Sequence, residues 1–295
     1  MSKKLLDDTW LRLEHRPLGG CSLESKRTSQ PMNRPSCLSG SSRSLKIFVT
    51  LLLITLAAHI NPCSATAATK GVPFQPGQKF IYRASWGMIP AGDAVIEVLP
   101  FKTYNGVRTY HFMMETRTNA GLDLIYKIRE RQDSYPDIQM SRTLYYSKKA
   151  TGEHPRDVVV AFDWEKMKAN YMNFGQAEKP VSIQAGTFDP ISLFFVVRLH
   201  TLKVGNILEI PVTDGKKMIS TKARVDRREK LVIDGKSYDT YLIIPETGRL
   251  DKVFGKEKEP DIKIWYTADE KKLPVKIQMK VAVGSFVFEL ISATD

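Results

Sequence analysis

Val275-Lys276-Ile277-Gln278-Met279-Lys280-Val281 alternates apolar and polar residues without a break. Successive strand side chains point to opposite faces, so Val275, Ile277, Met279 and Val281 share one face and the polar residues take the other. A helix would bring together positions three and four apart, and this stretch does not sort that way. The same period of two recurs upstream. Phe80, Tyr82, Ala84, Trp86 and Met88 fall on one face of an earlier segment. Tyr110, Phe112, Met114 and Thr116 oppose His111, Glu115 and Arg117, and Ile262, Ile264 and Tyr266 repeat the pattern.

Between such runs stand Asn105-Gly106, Asp214-Gly215 and Asp234-Gly235. These pairs accept the positive φ angles of a two-residue hairpin turn. Gly284 separates the last two runs, which predicts that Lys272–Val283 pairs with Ser285–Ala293. Strands of this length favour a strongly curved sheet or barrel over a short-strand sandwich. The predicted fold is mainly β: an antiparallel meander, strongly curved or barrel-like, with one main buried helix near 189–200.

That helix breaks the alternation. Asp189 is its predicted N-cap and Pro190 its first residue. Leu193-Phe194-Phe195-Val196-Val197-Arg198-Leu199-His200 follows, and Gly205 ends the region. The segment is apolar nearly all round, so it belongs inside the sheet, with its phenylalanines against the concave side near Trp86. Loss of an ordinary cap in Asp189→Ala would cost about 0.5–2 kcal/mol.

The chain divides before this domain begins. Ile47–Ile60 is a 14-residue apolar run, preceded by Arg43 and Lys46 and followed by Ala65-Thr66-Ala67. It is too short for a membrane span, and the small-residue pattern marks a cleavage site, so the segment reads as a secretory signal; the alternative is an uncleaved membrane anchor. Residues 1–44 form the leader, 45–67 the signal core and cleavage region, and 68–295 a single β-rich domain. Met32 begins a more ordinary signal, so residues 1–31 read as an over-extended start; the alternative is a long genuine leader. Pro62 before Cys63 departs from the small residue that precedes a lipidated cysteine. The expected location is the periplasm or another exported compartment.

All three cysteines, Cys21, Cys37 and Cys63, precede the expected cut. The remaining chain lacks thiol nucleophiles, thiolate metal sites and disulfides. The full chain carries 44 basic and 32 acidic residues, of which nine and four lie in residues 1–67, so the domain keeps a charge of +7. That is an ordinary solvated surface and does not call for nucleic acid. Apolar residues at 42% and charged residues at 26% fit a globular chain and exclude a disordered one. Lys256-Glu257-Lys258-Glu259-Pro260 reads as an exposed loop within the domain.

The order of several short pieces resembles a bacterial family known as domain of unknown function 3108. They are Gly77-Gln78-Lys79-Phe80-Ile81-Tyr82, Trp86-Gly87 with Ala91-Gly92, and Asp189-Pro190-Ile191-Ser192 with Arg198. Ile264-Trp265-Tyr266, Leu273-Pro274-Val275 and Gly284-Ser285 follow. The resemblance implies an exported envelope protein rich in antiparallel β-structure. It implies no known activity and supplies no catalytic set.

The residues themselves supply no catalytic motif. His111, His154 and His200 are scattered and read as a strand-face, a loop and a helix-end histidine, the last with a partly positive ring complementing the helix dipole. Ser192 sits in the first helical turn without a nucleophile elbow around it. Arg224, Arg227, Arg228 and Lys230 read as a solvated strand and turn. No cofactor and no metal site is expected. The favoured function is non-enzymatic: an exported protein that binds an apolar or amphipathic molecule, such as a lipid, or an envelope protein partner. Candidate ligand-binding residues are Trp86, Met88, Phe112, Met114, Phe194 and Phe195, with plain core filling as the competing reading. The alternative function is a hydrolase acting on envelope polymer through paired carboxylates in a cleft. No transmembrane span is expected after signal cleavage.

The export reading is checked by cell fractionation and sequencing of the mature N-terminus. Cleavage within a few residues of Ala67 is expected; full-length protein in the cytoplasm contradicts it.

Overall fold

The computed structural model describes residues 71–294, apart from 153, 247–260 and 282–283. The signal-like segment, the cysteines and the 256–260 loop lie outside the described residues. Among the described residues, fifteen strands form one sheet, paired antiparallel throughout. The first seven are β1 (Lys79–Trp86), β2 (Ile89–Tyr104), β3 (Val107–Thr118), β4 (Ile128–Pro136), β5 (Thr143–Gly152), β6 (Arg156–Asp163) and β7 (Lys168–Asn173). Two short strands follow, β8 (Gln176–Ala177) and β9 (Val181–Ser182). The rest are β10 (Ile207–Thr213), β11 (Met218–Ile233), β12 (Lys236–Pro245), β13 (Asp261–Thr267), β14 (Pro274–Val281) and β15 (Gly284–Thr294). Helices are few among the described residues: α1 (Ala120–Asp123) and α2 (Ser192–Leu199).

The meander is broken once in its spatial order. β15 returns to pair with β1, which places β10–β15 on one side of β1 and β2–β8 on the other. β14 pairs with β15 across Gly284, as the alternation predicts. Asn105-Gly106 and Asp234-Gly235 both hold positive φ at each residue, the geometry of a tight hairpin turn whose twist matches its strands. Asp214-Gly215 differs from expectation. It opens a four-residue loop in which the Asp214 carboxylate accepts from the Lys216 and Lys217 amides at 2.9 and 3.2 Å.

Long strands have to bend. β2 and β11 run 16 residues each, and register shifts interrupt their pairing at Leu99/Lys102 and Val225/Arg227. Such bulges increase local twist and curl a long sheet. The curl gathers side chains from both halves into one core, from Ile96, Phe112 and Val160 to Val212, Val225 and Tyr266.

The sheet is not closed by hydrogen-bonded strands. Its edges are β10 and the short strands beside β7. The segment before α2 crosses the seam. The Phe188 amide donates to the Pro211 carbonyl and its carbonyl accepts from Thr213, both at 2.9 Å, while the Thr187 carbonyl accepts from the Thr143 amide at 3.1 Å. Gly215 lies against Val160 and Tyr171, and Lys216 reaches Glu178 at 2.6 Å across the same seam.

α2 fills the interior at the end where the 71–78 segment enters. Phe195 lies flat on Phe112 with ring centroids 3.6 Å apart, and Phe74 meets both rings edge-on. Phe195 is therefore the inward phenylalanine, and Phe194 is only partly buried. Trp86 is not the helix's partner: it stacks on Phe286 in a separate cluster with Ala84, Ala91 and Leu122.

Asp189 does more than cap. The helix proper starts two residues later than predicted, but the Asp189 Oδ1 accepts from the Ile191 and Ser192 amides at 2.8 and 3.1 Å. Its Oδ2 accepts hydroxyls from Ser134 of β4, Thr143 of β5 and Ser192, each at 2.6 Å. All four side chains are fully buried. A buried carboxylate is tolerated when its lone pairs are filled in this way.

Arg198 is the second buried charge, only 1% exposed. Its guanidinium donates to the Pro73 carbonyl at 2.6 Å and the Lys271 carbonyl at 2.9 Å, and it lies over the rings of Phe74, Phe80 and Phe195. Ring faces and carbonyls replace water around the cation. Burial pushes the nearby Tyr82 and Tyr266 phenols upward, with Arg198 pulling the other way.

Phe195→Ala is expected to cost about 3–5 kcal/mol in urea unfolding, and Phe194→Ala clearly less. Asp189→Ala is expected to exceed the loss of a simple cap, at about 3–5 kcal/mol, because three buried hydroxyls and two amides lose their acceptor. Equal effects of the two phenylalanine variants would contradict this packing.

Candidate functional site: an open cup above the helix

The far half of the interior is lined differently. Residues paired across a ladder share a face, so one inward row runs Ile96, Met114, Gln132, Lys148, Val158. The next row towards the open end is Ala94, Thr116, Glu130, Ala150. Ile96, Ala94 and Val158 are core residues, which fixes these rows as inward-facing. Yet Met114, Thr116, Glu130, Gln132 and Lys148 are only half-buried. Inward side chains that still reach solvent mark this end of the concave side as open to the outside.

The opposite wall is apolar. Trp86, Phe286, Met279 and Ile262 pair in turn across β1, β15, β14 and β13. Trp86, Phe286 and Met279 are half-buried, as is Phe288. Gly284 permits this arrangement: a Cβ there would stand 2.3 Å from the Trp86 indole nitrogen, and its φ of +130° suits glycine alone. The indole thus lies directly over the β15 backbone.

The polar wall is pre-organised. Lys148 Nζ pairs with Glu130 at 2.7 Å. Gln132 donates to Glu130 at 2.5 Å and accepts from the Tyr146 hydroxyl at 2.7 Å. Burial, followed by the charges of Asp189 and Glu130, pushes the Tyr146 phenol well up, so it stays a neutral donor. Deeper still, the Ser134 hydroxyl joins this wall to Asp189. The cup has an apolar side, a charged and amide-bearing side, and a floor of Phe112 and Phe195.

Of the six candidate residues read from the sequence, Trp86 and Met114 reach the cup. Phe112 and Phe195 lie beneath it in the packed core, and Phe194 is partly buried on α2. Met88 departs from its expected strand face. It stands 99% exposed in the β1–β2 turn, because β1 ends at Trp86. The polar wall escaped sequence reading, since Glu130, Gln132 and Lys148 look like any solvent-facing alternation. The detectable signal was that their strand neighbours Arg129, Arg131 and Lys149 are polar too.

The remaining candidates have structural surroundings. Ser192 is sealed in the Asp189 network. Arg224, Arg227 and Arg228 pair with Asp226, Glu229 and Asp239 on the outer surface. The pKa of His200, exposed just beyond α2, is lowered by partial desolvation and by the charge of Lys272, which works against the partly positive ring read from the sequence. His154 meets Tyr126 edge-on at 6.1 Å, joining two loops at the cup's rim. His111 is buried on the outer face, its Nε2 2.7 Å from Asp133 and its ring stacked on Tyr135.

Burial works against the Asp133 carboxylate, but hydrogen bonds from His111 and Arg131 outweigh it and hold its pKa down at about 2. A depressed carboxyl contributes stability above its unfolded pKa and loses it as pH falls through the folded value. Asp133→Asn is expected to destabilise by about 2 kcal/mol at pH 7. That difference should fade between about pH 4 and 2, followed by thermal unfolding across that range. A difference independent of pH contradicts the pairing.

No described helix is long and apolar enough to cross a membrane. A β-barrel-like protein of domain of unknown function DUF1849 from Brucella abortus is similar at 12% identity and a TM-score of 0.45, over 73% of this chain and 96% of that one. A candidate lipoprotein from Parabacteroides distasonis aligns at 8% identity and a TM-score of 0.27, over 76% and 99%. No curated protein matches the sequence. Residues 81–291, from β1 through nearly all of β15, match the family described as protein of unknown function (DUF3108), and the chain belongs to that family.

Proposed function

We propose that this is an exported, non-enzymatic envelope protein that holds one amphipathic molecule in the cup. The observation that carries the reading is the division of the half-buried inward residues into two walls. An acyl or other apolar portion fits against Trp86, Phe286, Phe288, Met279 and Met114. A polar or charged head fits at Lys148, Glu130 and Gln132. Mouths of curved β-sheets commonly house such ligands, with mostly apolar linings and a few fixed polar groups.

The same features argue for holding over cleaving. Glu130 is held in its ion pair with Lys148, and Asp214, whose carboxyl burial pushes up, is engaged by amides of its own loop. Ser192 and Asp189 are shut beneath the floor. The packed half of the interior supplies a rigid base, so the lining is set before a ligand arrives.

The test is titration of the detergent-free exported protein with a fluorescent fatty acid, alongside mass spectrometry of its organic-solvent extract. Saturable binding is expected, with about tenfold or greater weakening in Trp86→Ala and a smaller loss in Lys148→Ala. Far-ultraviolet circular dichroism checks that both variants stay folded. No probe binding together with an empty extract overturns the reading.

A further inference from the structure

The loops around the cup's mouth carry an unusual set of side chains. Met88 is 99% exposed, Ile89 60%, Leu124 88% and Ile125 71%. Scattered single apolar residues on a surface are ordinary, but these four lie in or beside two loops tied together. The Asn119 amide donates to the Ala91 carbonyl at 2.9 Å, and its side-chain amide donates to the Pro90 carbonyl at 2.7 Å. Leu122, two residues before Leu124, tucks inward against Ala84 and Ala91 and anchors the loop. The anchored backbone leaves Leu124 and Ile125 pointing away from the core.

We infer that this rim docks on the surface of an anionic lipid bilayer. Nearly complete exposure decides between partners. Side chains that project from loop tips suit insertion into a fluid acyl layer, which needs no matching pocket. Tyr126 and Lys127 follow directly, an amphipathic ring and a cation of the kind that sits at headgroup level. Arg156 and Lys280 stand exposed at the same end of the sheet, whereas Arg117 and Arg129 are matched by Asp93 and Asp123. Lys127, Arg156 and Lys280 thus present exposed positive charge complementary to anionic headgroups. Docking here would bring the cup's mouth to the membrane. The inference stands on rim residues, not on the cup's lining, so either can fail alone.

The experiment is co-flotation of the detergent-free exported protein with vesicles of phosphatidylglycerol and phosphatidylethanolamine, and with phosphatidylcholine vesicles for comparison. The wild type is expected to float with the anionic vesicles and to release as salt rises. The triple variant Met88→Ser, Leu124→Ser, Ile125→Ser should lose about tenfold or more of that binding while keeping fatty acid binding and its circular dichroism spectrum. Lys127→Glu with Arg156→Glu should remove the preference for anionic vesicles. Lys148→Ala, on the cup's polar wall and away from the Leu122 anchor, should float as the wild type does. Absence of wild-type flotation, or undiminished flotation of the folded triple variant, overturns the inference. So does a rim that captures a protein partner but no vesicle.

Discussion

A single sheet that curls on itself leaves an interior to fill and two edges to satisfy, and the rest of this structure follows from how one segment meets both demands. Residues 187–199 cross the seam beside β10 and then turn inward as α2. The Asp189 carboxylate makes the turn possible. It receives hydroxyls from β4 and β5 and amides from the helix start, so the helix is fixed to the wall it must pack against. An apolar helix alone would find the concave side but would not be oriented within it. The directional bonds at Asp189 supply that orientation, and Phe195 on Phe112 supplies the burial.

Because α2 is only eight residues long, it fills one half of the interior and leaves the other open. The division explains the different lining of the two halves. Where the helix packs, inward residues are mostly apolar and fully buried. Beyond its reach, inward residues stay half-buried and can be polar, since water reaches them. Glu130, Gln132 and Lys148 carry no desolvation penalty comparable to that of Asp189, and their mutual bonds keep them ordered. A longer helix would have required apolar residues there.

Charge follows the same logic on the outer surface. Arg131 braces Asp133 and Glu115, and Arg227 braces Asp226 and Glu229, so much of the positive excess is answered locally. Lys127, Arg156 and Lys280 stand exposed at the mouth, beside the exposed apolar loops. The mouth is thus the one described end where apolar projection, positive charge and access to the interior coincide.

The period of two, the Asx-Gly turns at Asn105 and Asp234, and a helix soon after Asp189 were all legible in the sequence, because each depends on neighbours along the chain. Alternation sorts a strand's residues into two faces, and a turn's φ angles belong to two residues. The sequence by itself therefore determined a mainly antiparallel β-fold with one buried helix, and it marked Asp189 as the helix's hydrogen-bond acceptor. Which phenylalanine points inward depended on where Phe112 and Phe74 arrive from distant strands. That Glu130 and Lys148 face the concave side was decided by register across β3, β4 and β5, since polar residues occupy both faces of β4. Met88 left its predicted face because the hairpin begins at Gly87, and only the tertiary structure sets its exposure. The cup itself exists only in three dimensions: its depth is set by the length of α2 against the length of the strands, and no local stretch of chain contains both.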